Sequence, residues 1–197
     1  MEAMEPQYTL RSRTHGIWLG GLAIIAAVII VVSLIDTGMR GLGPTVLFSA
    51  GIVVLAYGLF KVPALQVNPT GLTVVDTLSI TQVPWKAVKL IEARFGLKIV
   101  TTKGRTLSVR SFGSSGVRAD IPWKIGSDLT VPIIRSGTLN QATNTRNTTN
   151  FLHEFQEAGL VDRRAKGPET VTRTWNVTGI GAVLAGAAAM AGGIALL

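Results

Sequence analysis

Hydrophobic positions follow two regimes along this chain. Residues 16–35, 44–60 and 175–197 are near-continuous apolar runs, whereas from Ala64 onward apolar and polar positions alternate in short stretches broken by turn residues. A helix crosses a hydrocarbon core of roughly 30 Å in about 20 residues, so each long run predicts a transmembrane helix. The alternating stretches predict β-strands at 64–67, 72–75, 78–83, 88–94, 97–102 and 105–109, separated by Asn68-Pro69-Thr70-Gly71, Asp76, Pro84, Phe95-Gly96 and Lys103-Gly104. After an irregular insertion at 113–147 one helical pattern returns. Thr148 or Thr149 serves as N-cap, Phe151, Leu152 and Phe155 share a face, and Gly159 is the stop. The expected organisation is an N-terminal tail at 1–15, a helical hairpin at 16–60, a domain at 61–160, a basic linker at 161–174 and a third span at 175–197. The fold class is an α+β membrane protein: three transmembrane helices plus a curved antiparallel sheet of roughly six or seven strands and one amphipathic helix.

The last span carries the sharpest packing signal. Gly181, Ala185, Ala189 and Gly193 recur every four residues, flanked by Ala182 and Gly186. Lipid supplies little hydrophobic drive between helices, so a seam of small residues matters because it lets another backbone approach closely. Its partner is either the hairpin of the same chain, where Gly16, Gly20, Ala23 and Ala27 form a shorter repeat, or a helix of another protein. Trp18, Tyr57, Phe60 and Trp175 stand near span ends, where amphipathic rings favour the interface.

Charge sets the expected orientation. The net charge of +8 is concentrated in residues 61–174, which hold 16 Lys and Arg against eight Asp and Glu. Arg11, Arg13, Lys61, Arg163, Arg164, Lys166 and Arg173 lie near the domain ends of the spans, while the 36–43 hairpin carries only Arg40. Positive residues resist translocation, so the N-terminus and the domain are expected in the cytoplasm, with the C-terminus outside the plasma membrane. Beside membrane spans such a basic domain points to anionic headgroups rather than to nucleic acid. The first run is read as a retained span, since it is about 20 residues long and no A-x-A-like cleavage site follows.

The domain's motifs carry a resemblance. Gly71-Leu-Thr-Val, then Val83-Pro-Trp85 with Val88-Lys-Leu-Ile-Glu92, then 97–105 ending in Lys103-Gly104-Arg105, are similar to the pleckstrin-homology-like domains of small membrane-anchored actinobacterial proteins. The likeness spans 62–112 and, more loosely, 148–160. It implies a partly open barrel of two sheets, plugged at one end by the helix through Phe151, Leu152 and Phe155, with Trp85 marking the start of the fourth strand. Inositide-gripping relatives cluster cations around the first inter-strand loop, because several donors must converge on adjacent phosphates. Here that loop is 68–71 and has no cation, so specific inositide binding is not supported at that site. A looser headgroup or partner contact falls to Lys86, Lys103 and Arg105, with Lys89, Lys98 and Arg110, or these form a solvated face.

Catalytic constellations are not expected. The spans contain no Asp, Glu, Lys, Arg or His, which removes proton relays and most transport readings. Absent cysteine excludes thiolate chemistry and disulfides. His153 is expected on a helix surface, the domain's acidic residues are scattered singly, and Gly113-Ser114-Ser115-Gly116 lacks the Gly-Lys-Ser/Thr ending of a phosphate loop. No cofactor or metal is expected. Trp123, in Pro122-Trp123-Lys124, marks either a contact surface or a last strand. The functional expectation is a non-enzymatic accessory subunit of a larger membrane assembly. On class resemblance the candidate is the actinobacterial respiratory supercomplex of cytochrome bcc and aa3 oxidase. The alternative is an independent membrane-anchored protein that senses anionic lipid or scaffolds cytoplasmic partners.

Overall fold

The computed structural model describes residues 7–93, 96–110, 112, 131–134, 136–162 and 170–196. The first strand, β1 (Gln7–Ser12), runs without a break into helix α1 (Arg13–Thr37). A short 3-10 turn, Gly38–Arg40, reverses the chain into α2 (Leu42–Ala56), which widens into a π-helical turn, Tyr57–Lys61, before β2 (Ala64–Asn68). A meander follows: β3 (Gly71–Val75), β4 (Ser79–Pro84), β5 (Val88–Glu92), β6 (Leu97–Thr101) and β7 (Thr106–Val109). Then come β8 (Thr138–Thr143), α3 (Thr145–Glu157), β9 (Thr172–Trp175) and α4 (Val177–Ala195). Three helical stretches, Arg13–Arg40, Leu42–Lys61 and Val177–Ala195, are long and apolar enough to cross a membrane. The chain is thus an α+β protein with three candidate spans.

Six strands of the expected meander form within a residue or two of where alternation placed them, and three further strands lie outside it. The 1–15 segment contains β1, the insertion contains β8, and β9 runs from the linker into the first residue of the expected third span. All three join one six-stranded sheet in the order β8-β1-β2-β3-β4-β9, while β5-β6-β7 make a second sheet. The pairing is not wholly antiparallel. β1 runs parallel to β8 along its whole length, from Gln7 opposite Thr138 to Ser12 opposite Thr143. No ladder joins the two sheets among the described residues, so they do not close into a barrel.

One core fills the space between the sheets. Alternation turns Tyr8 and Leu10, Leu65 and Val67, and Leu72 and Val74 to the same side, where they meet Ile91, Leu97, Ile99 and Val109 from the smaller sheet. Helix α3 seals this core, with Phe151, Leu152 and Phe155 buried as expected. It begins earlier than Thr148: Asn144 is the N-cap, its side chain accepting from the Asn147 amide at 2.8 Å. Gly159, at φ +70, stops the pattern in the left-handed conformation that favours glycine. Trp85 lies at the corner between the sheets, in a 3-10 turn, Trp85–Ala87, that opens into β5, the fourth strand of the meander. Its ring stacks on Phe155 at 5.9 Å and its indole N–H donates to the Asn68 carbonyl at 2.8 Å. Each such buried ring contributes about 1.5–3 kcal/mol by burial alone.

Candidate functional site

The α2–α4 contact shows what the glycines of the last span do. Gly51 meets Met190 and Gly186, Gly186 meets Leu55 and Gly51, and Gly193 meets Phe48 and Pro44. At each position an added Cβ would come within 3 Å of a backbone atom of the facing helix. A fourth level pairs Gly58 with Ala182 and Val183. The helices are antiparallel neighbours, and the buried residues of α4 are Gly179, Gly186 and Gly193, a spacing of seven. Of the expected seam, Gly186 and Gly193 are therefore packed within the chain and Ala189 is half-buried, whereas Gly181 and Ala185 are exposed on another face. The four-residue pattern drifts around the helix; the seven-residue one stays on the buried side.

Where spans meet sheet, one turn joins the parts. Asn176 is buried, caps α4 by accepting from the Gly179 amide at 3.1 Å, and donates through its side-chain amide to the Asp76 carbonyl at 2.7 Å. Its own backbone N–H donates to the Leu78 carbonyl at 3.0 Å. Thr77 donates its hydroxyl to the Gly58 carbonyl in the π-helical turn after α2, at 3.3 Å. A Cβ on Gly179 would collide with the Thr77 carbonyl. The β3–β4 turn is thus held by both helices of the glycine seam. Asn176 falls inside the span expected at 175–197; an Asn immediately before an apolar helix is the signal that identifies it as a cap.

Beside this turn opens a cleft of about 690 Å³. The span side supplies His15, Leu59 and Val183, one from each of the three helical segments. The domain side supplies Asp76 from the β3–β4 turn, Ser79 and Thr81 from β4, Thr106 and Ser108 from β7, and two cations, Arg110 and Arg173. Asp76 Oδ1 and His15 Nδ1 are buried and make no hydrogen bond among the described residues. Burial pushes the Asp76 carboxyl above its ordinary range, against the opposing pull of the Arg110 and Arg173 guanidinium groups. Trp18, Tyr57 and Trp175, all exposed, mark the same level at the domain ends of α1, α2 and α4.

The other expected contact residues lie elsewhere. Lys86 is exposed in the turn before β5. Lys103 and Arg105, in the β6–β7 turn, border a small cavity of about 130 Å³ with Thr170 and Val171. From Val171 to Asn176 the chain advances about 16 Å at strand rise, so the basic turn stands well away from the end where α4 begins. Trp123 lies outside the described residues. Arg110 is the one member of the wider basic set that the fold brings to the cleft; His153 is exposed on α3. Fold and junction together define a membrane protein whose small β-rich domain is built directly onto its three candidate spans. No protein-family model, curated protein or solved structure matches this chain.

Proposed function

We propose that this chain is a non-catalytic accessory subunit of a larger membrane assembly, with its domain on the cytoplasmic face. One observation carries this reading: after packing against α2, α4 still leaves a second set of small residues uncovered. Helix α1 exposes Ile17, Ile24, Ile25, Val28, Val31 and Val32, long apolar residues that suit lipid tails, and with them the small repeat Gly16, Gly20, Ala23 and Ala27. Helix α4 has already used one glycine face against α2, yet leaves Gly181, Ala185 and Ala188 exposed on another. A second small-residue face suits the close approach of a helix from another subunit, since lipid gains little from it. The domain supports the role, because two sheets around one core with α3 as a plug fit a pleckstrin-homology-like interaction module. The respiratory supercomplex of cytochromes bcc and aa3 is the candidate assembly.

A mild-detergent pull-down of the tagged chain, with mass spectrometry and a haem spectrum of the eluate, tests the reading. Stoichiometric partner subunits that are lost from a Gly181→Leu/Ala185→Leu variant support it, and haem in the eluate supports the respiratory candidate. A chain of 20.8 kDa that purifies alone overturns it. The second reading, a membrane-anchored lipid binder, is favoured by the interfacial cleft.

A further inference from the structure

We propose that the cleft between the β3–β4 turn, β7 and the span ends holds the headgroup of an anionic phospholipid that carries free hydroxyls, such as a glycerol or inositol phosphate. The proposal rests on the chain spanning a bilayer and is independent of the accessory-subunit reading. Four observations converge on it. The first is depth: His15, Leu59 and Val183 of the helical segments share a lining with Asp76 and Arg173 of the domain, so the cleft straddles the junction where headgroups lie. Exposed Trp18, Tyr57 and Trp175 fix that level independently, because indole and phenol rings settle at the headgroup region.

The second is charge. Arg110 and Arg173 are both exposed and both line the cleft with Asp76, so two cations border one space. A guanidinium presents paired donors that match phosphate oxygens, and two of them suit one phosphodiester. The third is the unpartnered acceptor. Asp76 Oδ1 is buried without a donor among the described residues, and a phosphodiester group offers it none; a headgroup hydroxyl does. A carboxylate beside two arginines therefore selects among anionic lipids, repelling a bare phosphate and accepting one that brings its own O–H. The fourth is size. The volume falls within the roughly 300–1,000 Å³ of small-molecule sites, and Leu59 and Val183 continue the cleft into apolar surface that suits an acyl chain.

The test uses the purified full chain in detergent, with lipid retention read by native mass spectrometry. Phosphatidylglycerol, phosphatidic acid and phosphatidylcholine are added at equal concentration, and soluble glycerol phosphate serves as competitor. The wild type is expected to retain phosphatidylglycerol about tenfold over phosphatidylcholine, the advantage of a charge-assisted contact. Arg110→Gln/Arg173→Gln should abolish that preference, whereas Lys103→Gln/Arg105→Gln should leave it intact. Asp76→Ala should erase the preference for phosphatidylglycerol over phosphatidic acid. All substituted arginines and lysines are exposed, so an unchanged melting temperature separates lost binding from lost fold. Equal retention of phosphatidylglycerol and phosphatidylcholine, or equal loss in both double variants, overturns the proposal. Displacement of the lipid by equimolar glycerol phosphate overturns it too, since the site would then take a free anion.

Discussion

Gly186→Ala should destabilise the chain although it adds only a methyl group. The new Cβ would lie 2.6 Å from the Leu55 amide nitrogen, 2.8 Å from Leu55 Cβ and 2.9 Å from the Gly51 carbonyl oxygen. Two of those three atoms are backbone, so no rotamer change relieves them. Helices α2 and α4 must move apart by roughly 0.5–1 Å, which forfeits a quarter to a half of each 0.1–0.2 kcal/mol atom contact; over roughly 30 pairs this is about 1.5 kcal/mol. The figure falls inside the range of about 1–3 kcal/mol for overpacking, and it raises the unfolded population about tenfold. Ala185→Leu is the control, one residue away on an exposed face. Reversible unfolding of both variants and wild type in mixed micelles, followed by tryptophan emission, measures the difference. Gly186→Ala with wild-type stability would refute the close-packed seam, and so would an equal loss in Ala185→Leu.

Two further outcomes follow from the junction. Asn176→Ala removes the α4 cap and the tie to the Asp76 carbonyl, so it should cost about 1–2 kcal/mol and speed hydrogen exchange at residues 76–79; unchanged exchange would remove Asn176 from its role as a clamp. Asp76→Asn should stabilise the protein at neutral pH, because burial raises the folded carboxyl's pKa above its ordinary 3.8 and the folded state then binds more protons than the unfolded one. Wild-type stability is accordingly lost as pH rises from about 3.8 through the raised value, so the gap between melting temperatures should open upward and close in acid; a gap that widens in acid refutes it.

Much of the architecture was legible because two strong periods govern most residues. Unbroken apolar runs and the alternation of Leu65, Val67, Leu72 and Val74 leave few alternatives for spans and meander. The edges were harder. β8, Thr-Leu-Asn-Gln-Ala-Thr, is largely polar because it is an outer strand, and Thr172-Arg-Thr-Trp175 is an exposed edge four residues long. β1 is different: Tyr8 and Leu10 alternate cleanly with Thr9 and Arg11, yet weighing Arg11 and Arg13 as topology signals hid the strand. Tyr8 proves to be wholly buried, its hydroxyl donating to the Ile134 carbonyl at 2.9 Å and accepting from the Ile134 amide at 2.7 Å. The cleft was illegible for another reason. Its charged residues come from positions 76, 110 and 173, and only the sheet order brings such distant points of the chain together.

That sheet order also couples the cleft to the membrane helices. Each of the three spans continues into a strand of the six-stranded sheet: α1 from β1 directly, α4 from β9 through Asn176 alone, and the π-helical turn after α2 into β2 through two residues. The turn that walls the cleft is bonded to Gly58 and to Asn176, and the Gly58–Ala182 contact lies beside Leu59 and Val183 of its lining. Helix separation therefore reaches the cleft in proportion to its nearness. Gly186 lies four residues from Ala182, about 6 Å of helix rise, and Gly193 eleven, about 16 Å. A substitution at Gly186 should weaken lipid retention and stability together, whereas one at Gly193 should lower stability while the cleft stays closer to its native shape. A ligand held only in the folded state stabilises it by mass action, so phosphatidylglycerol should raise the melting temperature of the Gly193→Ala variant more than that of Gly186→Ala. Equal rises in the two variants would separate seam from cleft and leave the domain as a passive rider on its spans.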